Sequence, residues 1–262
     1  MTILDKIIAK RKHDVSQQKE MYSHTTFENM PLFSRQTFSA KHAIQKKEAS
    51  GIIAEYKRRS PSKGTINAQV SVRDVVNGYE RAGASCVSVL TEQTHFGGSL
   101  DDLLAARDVL TIPLLRKDFT VDEFQILEAR AFGADFILLI AAALSKQEIQ
   151  HFTQLAHSLH LEVLLEIHTQ EELDKSCPEI DLIGINNRNL HDFSVDIEHS
   201  IQLAQAIPAE FTKISESGIS NIETIKHLTS HGFQGFLMGE SFMKQANPGE
   251  ACADFIRSLQ SK

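Results

Sequence analysis

The stretch IIAEYKRRSPSKG, residues 52–64, puts a carboxylate (Glu55) and an ammonium (Lys57) two residues apart at the end of an apolar run. Strand side chains alternate faces, so Ile53, Glu55 and Lys57 would share one. The same parity recurs downstream: Leu115, Lys117 and Phe119; Leu164, Glu166 and His168; Gly184, Asn186 and Arg188; Ile214 and Glu216. A single charge at a strand end reads most simply as a solvated loop residue. Five strand ends carrying Glu, Lys, Asn or Arg on one parity share a polar pocket if they converge. Charges buried together are costly unless paired or used. Convergence therefore points to acid–base chemistry, with Lys and Glu as proton donors and acceptors.

A second group suggests an anion. SESGIS contains Ser217 and Gly218 just before a helix expected from about Asn221, and LMGESF contains Gly239, Glu240 and Ser241. Glycines let backbone N–H groups approach an anion closely, and helix N-termini favour negative charge. Ser60 can join them if the first and last strands are neighbours. One Ser-Gly pair usually marks only a turn. Two on adjacent strands, with Ser-Pro-Ser, point to phosphate.

These residues need a scaffold that brings distant strand ends together. From Gly51 onward, apolar β-branched runs alternate with amphipathic stretches: GIIAEYK, SCVSVLTE, IPLLRKD, DFILLIAA, LEVLLEIH, DLIGINNR, TKISESG and GFLMGES, separated by segments such as SVRDVVNGYERAG and SKQEIQHFTQLAHSLH. Several of the latter open on Ser, Thr or Asp and close on Gly, as capped helices do. This alternation predicts parallel strands with crossover helices, and roughly eight units in this length predict a (β/α)8 TIM barrel. A doubly wound open sheet would normally carry G-x-G-x-x-G after its first strand, and none occurs. Three joints, AGASCVSVL, FGADFILLI and HGFQGFLMG, form the weak internal repeat expected of such a barrel. Residues 1–50 do not fit the repeat. Ile3, Leu4, Ile7 and Ile8 have helical spacing, and SAKHAIQKKEA leads into the first strand. With no Gly/Ser- or Pro-rich linker, residues 1–50 read as a helical extension of one domain, 1–262, whose barrel occupies 51–262.

Composition narrows the function. The chain has 262 residues, 42% of them hydrophobic, and a net charge of −7, so nucleic acid and anionic membranes are poor partners. Cys86, Cys177 and Cys252 are scattered and odd in number, which fits a reducing compartment better than a disulfide framework. There is no C-x-x-C or H-E-x-x-H, no secretory h-region in MTILDKIIAKRKHD and no apolar run of transmembrane length. A soluble cytoplasmic enzyme without a metal is expected.

The motifs IIAEYKRRSPSKG, SVLTEQTHFGGSLDDL, PLLRKDF, LLEIH, IGINNRNL, SESGI and LMGESFM together resemble the indole-3-glycerol phosphate synthase family of tryptophan biosynthesis. The resemblance spans essentially the whole chain, including the N-terminal helical extension. It departs only at His95, where the family more often carries an aromatic. It implies ring closure of 1-(2-carboxyphenylamino)-1-deoxyribulose 5-phosphate to indole-3-glycerol phosphate, carbon dioxide and water, with no cofactor. By resemblance Lys117 is the main general acid and Glu166 the second acid–base residue. Glu55 hydrogen-bonds the substrate chain or anilino nitrogen. Lys57 holds the substrate carboxylate, Asn186 and Arg188 position the reacting groups, and Glu216 bonds hydroxyls. Ser60, Ser217, Gly218, Gly239 and Glu240 would form the phosphate cradle. Phe96 and Phe119 would wall the anthranilate ring, ordinary core packing being the alternative for each. A monomer is expected, with weak association with other tryptophan-pathway enzymes left open.

Three rivals remain at this point. Phosphoribosylanthranilate isomerase is a related barrel, but shorter and reliant on a Cys/Asp pair, and no cysteine ends the first strand here. A class I aldolase would use Lys117 as a Schiff base. A barrel retained only as a scaffold would have no reason to keep buried charge.

Overall fold

Eight parallel strands close in chain order, the first pairing with both the second and the eighth. They are Ile52–Tyr56, Cys86–Leu90, Leu114–Lys117, Phe136–Ile140, Glu162–Ile167, Leu182–Asn186, Thr212–Glu216 and Gly235–Met238. This computed structural model describes residues 2–189 and 194–261. Leu190, the last residue of IGINNRNL, lies outside the described residues.

Period-two alternation divides each strand between two cores. Ile53, Leu115, Leu164 and Ile214 fill the barrel interior with Cys86, Phe136 and Leu182. Ile52, Ala54, Val87, Leu114, Val163 and Ile183 face outward into the layer shared with the helices. Burial on both faces explains the near-continuous apolar runs, the signature of a parallel sheet covered on both sides.

The helices follow the expected segments. Val72–Arg81, Leu100–Arg107, Phe124–Ala131, Lys146–Ser158, Gln170–Leu173, Ile197–Ala204 and Ile222–Ser230 alternate with the strands, and Pro248–Gln260 follows the last. Ser99, Ser145, Asp196, Asn221 and Asn247 each accept a hydrogen bond from an N–H of the first helical turn, satisfying a donor that has no intrahelical partner.

The extension begins with helix Ile3–Met21, started by a capping box between Thr2 and Asp5. Its buried stripe is Ile7, Arg11 and Val15, at helical i, i+4, i+8 spacing. Val15 joins Phe27, Phe124, Leu127 and Ala131 in a separate apolar cluster. Phe27 meets Phe124 edge-on, with centroids 4.9 Å apart, a contact worth about 0.5–1.5 kcal/mol beyond its area. Helix Ala40–Gln45 inserts Ala40 and Ile44 against the interior core at the N-terminal end of the barrel. A third short helix, His24–Glu28, has no signal strong enough to read in advance. Among the described residues no helix is long and apolar enough to cross a membrane.

Candidate active site

One cavity opens at the C-terminal ends of the strands. It is lined by Glu55, Lys57, Ser60, Phe96, Lys117, Phe119, Glu166, Asn186, Arg188, Glu216, Ser217, Gly218 and Glu240. Of the site residues read from the sequence, only Gly239 is absent from that wall. It stands behind Glu55: a Cβ on Gly239 would lie 2.9 Å from Glu55 Cβ and 3.0 Å from its Oε1.

Register determines which charges meet. Asn186 is level with Glu216, and Glu166 with Gly184 on the intervening strand. Lys117 Nζ lies 3.4 Å from Glu166 Oε2 and 3.5 Å from Glu216 Oε2. Asn186 Nδ2 donates to Glu166 Oε1 at 2.9 Å, and Arg188 N donates to Asn186 Oδ1 at 2.9 Å. Lys57 Nζ pairs with Glu55 Oε1 at 2.7 Å. Strand alternation thus brings three carboxylates and two ammonium groups into one buried pocket.

The electrostatics follow from that crowding. Burial alone would pull Lys117 down, but Glu166, Glu216 and Glu55 outweigh it and hold its ammonium above the ordinary lysine range. Burial pushes Glu55 up, yet Lys57 and Lys117 prevail, and it sits below the ordinary carboxylate range. Glu216 goes the other way. Burial, with the like charges of Glu166 and Glu55, overcomes Lys117 and raises its carboxyl to about 8. Its Oε1 is buried without a hydrogen-bond partner. Lys117 is therefore kept cationic while one neighbouring carboxyl favours the protonated form, as expected where like charges share a site.

The two ends of the cavity differ. At one, Phe96 and Phe119 lie 5.9 Å apart with rings tilted by 40°, and Leu138, Ile140 and Leu237 complete an apolar wall. Glu92 shapes the loop that presents Phe96, accepting from the backbone N–H groups of Thr94, His95 and Phe96 at 3.1, 2.7 and 3.0 Å. At the other end, Ser217 and Gly218 both have φ of +71°. A left-handed serine is strained, and Asn187 Nδ2 supports it by donating to Ser217 O at 2.7 Å. A Cβ on Gly218 would lie 2.4 Å from Val195 Cγ1, so both conformation and space require glycine. Ser60 borders this end on a small two-stranded ribbon, Arg59–Ser60 with Gly64–Thr65.

A family model described as indole-3-glycerol phosphate synthase matches residues 4–255. The chain belongs to the indole-3-glycerol phosphate synthase family. A relative of that name from Bacteroides thetaiotaomicron is 46% identical, over 98% of this chain and 99% of its own length. Another, from Campylobacter jejuni, is 42% identical over 95% of this chain and 98% of its own. Among solved structures, a mutant tryptophan synthase α-subunit from Pyrococcus furiosus aligns with a TM-score of 0.59 at 14% identity, covering 80% of this chain and 98% of that one. A thiamine phosphate pyrophosphorylase from the same organism aligns with 0.59 at 13%, covering 85% and 100%. At such identities the structural likeness concerns the barrel fold alone.

Several features of this indole-3-glycerol phosphate synthase family member escaped the sequence reading. Ile3, Leu4 and Ile7 of the extension line the cavity. Their helical spacing was visible, but the surface they cover was not. Arg11 of the same helix reaches Asp118, the neighbour of Lys117, with Nε and Nη2 at 3.0 and 2.7 Å from its two oxygens. Asp118 also accepts from Thr91 Oγ1 at 2.6 Å and Arg116 Nη2 at 3.0 Å. Arg58 is a fixed contact: it pairs with Asp102, and its guanidinium lies 5.1 Å from the Tyr56 ring centroid. Arg59 is exposed.

Proposed function

We propose that this cavity closes the pyrrole ring of 1-(2-carboxyphenylamino)-1-deoxyribulose 5-phosphate, giving indole-3-glycerol phosphate, carbon dioxide and water. The carrying observation is the Lys117 ammonium held at 3.4 and 3.5 Å by the carboxyl groups of Glu166 and Glu216, between an aromatic wall and a Ser-Gly turn. The reaction is redox-neutral as written. Carbon–carbon attack on the ketone puts negative charge on its oxygen, and the cationic Lys117 is the proton donor that meets it. Glu166, held by Asn186, acts as the second acid–base group in the dehydration that aromatises the ring. Glu55 bonds the substrate's chain or anilino nitrogen, and Lys57, paired with Glu55, receives the substrate carboxylate. Arg188 and Asn186 position the reacting groups, and Glu216 bonds the chain hydroxyls.

Phe96 and Phe119 hold the anthranilate ring. Ser60 and the backbone of Ser217, Gly218, Gly239 and Glu240 cradle the phosphate; left-handed turns commonly offer successive N–H groups to an anion. The barrel and extension act as one domain, supported by the buried Arg11–Asp118 pair. Three buried free cysteines fit a reducing, cytoplasmic setting, and a monomer is the working assembly.

The test is the appearance of indole fluorescence when the substrate is added. The chain contains no Trp, so its own background is low. Product formation that disappears in Lys117→Ala supports the reaction and its acid. Folded, substrate-binding protein that makes no product overturns the proposal.

A further inference from the structure

His168 ends LLEIH, shares its face of the strand with Glu166, and has no part in the chemistry above. Its polar groups are nevertheless tied down. Its N–H donates to Glu172 Oε2 at 2.6 Å. Its carbonyl lies 2.8 Å from His199 Nε2, and its own Nδ1 lies 2.9 Å from the carbonyl oxygen of Asn186. A carbonyl only accepts, so His168 Nδ1 and His199 Nε2 are the donors in these two bonds.

The register gives this arrangement its meaning. Pairing between the fifth and sixth strands ends at Ile167 and Ile185. One residue further on, the His168 ring supplies the donor that the ladder no longer provides, and the Asn186 carbonyl takes it. Asn186 in turn carries two contacts of the site: its amide donates to Glu166 Oε1, and its Oδ1 receives Arg188 N. Glu166 and Asn186 line a second cavity behind the main one, together with His168 and His199.

Resting on the functional reading above, we infer that His168 is a positioning residue: its imidazole extends the strand ladder by one rung, fixes the Asn186 backbone and thereby sets the orientation of Glu166. His199 is the outer link, holding His168 from helix Ile197–Ala204.

The test is steady-state kinetics on five chains: wild type, His168→Ala, His168→Asn, Glu166→Gln and the double variant His168→Ala/Glu166→Gln. Asn carries an amide N–H one bond beyond Cγ, as the imidazole does, and can replace the donor. His168→Ala is expected to lower kcat by about 10- to 50-fold with KM within about 3-fold, as an interaction felt mainly in the transition state would. His168→Asn is expected to recover kcat to within about 3-fold. In the Glu166→Gln background, His168→Ala is expected to change kcat by less than about 2-fold, because residues acting through one group are not additive. Equal losses in both backgrounds, or His168→Asn no better than His168→Ala, overturn the inference. An active wild type matched by His168→Ala overturns it while leaving the reaction intact; an inactive wild type overturns the functional reading beneath it. If alanine at 168 prevents folding, His199→Ala tests the outer link. A few-fold loss that vanishes in the Glu166→Gln background supports the inference, and the same loss in both backgrounds overturns it.

Discussion

Glu216 occupies the space that a side chain at Gly184 would need: a Cβ there would lie 2.1 Å from Glu216 Oε1. The glycine is in mid-strand with no left-handed φ, so its role is clearance for the carboxylate and not backbone freedom. Gly184→Ala should therefore fold and yet displace Glu216 from Lys117. We expect kcat to fall by about 10- to 100-fold, with a stability cost of about 1–3 kcal/mol for overpacking. Kinetics alongside denaturant unfolding checks this; unchanged kcat would show that Glu216 relocates without consequence.

Lys117→Met keeps the volume of the stem and removes the charge. Acid catalysis of this kind is worth about 10²–10⁴-fold, so kcat should drop by that order while KM moves only several-fold. A matching loss in both constants would make Lys117 chiefly a binding residue.

Glu216 titrates in an unusual window. Its folded pKa of about 8 lies above the ordinary value of 4.5, so the native state holds the proton more tightly than the unfolded state. Its contribution to stability is fully present below about pH 4.5 and lost as pH rises through about 8. Glu216→Gln should flatten the fall in unfolding free energy between pH 5 and 9. Parallel curves for variant and wild type would rule this out.

Arg11 and Asp118 are both buried, and removing one partner of such a pair strands the other's charge. Arg116 remains beside Asp118, so Arg11→Met should cost about 2–4 kcal/mol, somewhat under the usual figure for an uncompensated charge. Hydrogen exchange should show the loss concentrated in helix Ile3–Met21, with kcat also reduced because Asp118 adjoins Lys117. Uniform loss of protection would mean that the pair stabilises the whole barrel and not the helix specifically.

Gly218→Ala meets both a left-handed φ and Val195 Cγ1. On the proposed assignment of this turn to the phosphate, the substitution should raise KM by about 10-fold or more, with kcat changed less. A reversed pattern would move the phosphate away from this turn.

The strand-end residues were legible because strand alternation and barrel closure act on the sequence by simple rules. Once Glu55, Lys117, Glu166, Asn186 and Glu216 share a parity, eight parallel strands leave them one place to go. What depended on contacts between remote segments was not legible. Nothing in ILDKII says that Ile3, Leu4 and Ile7 cover the cavity, or that Arg11 finds a partner more than a hundred residues away. Asp118 lies on the opposite parity from Lys117 and drew no notice. Gly184 could be placed on the inward parity, but the need for glycine there comes from a side chain on the neighbouring strand. Nothing in the sequence marks out Glu92, because its three N–H donors come from a turn whose shape the sequence does not announce.

The placement of Ile3, Leu4 and Ile7 at the cavity also bears on how the protein should be handled. An affinity tag fused ahead of Thr2 would hang beside the entrance and compete with substrate for it. The other terminus is better suited: Leu259 and Gln260 lie with Gly51 and Gln234, where the strands begin, at the far end of the barrel. Immobilisation or labelling through Ser261 should leave turnover untouched, and the same group at the front should not.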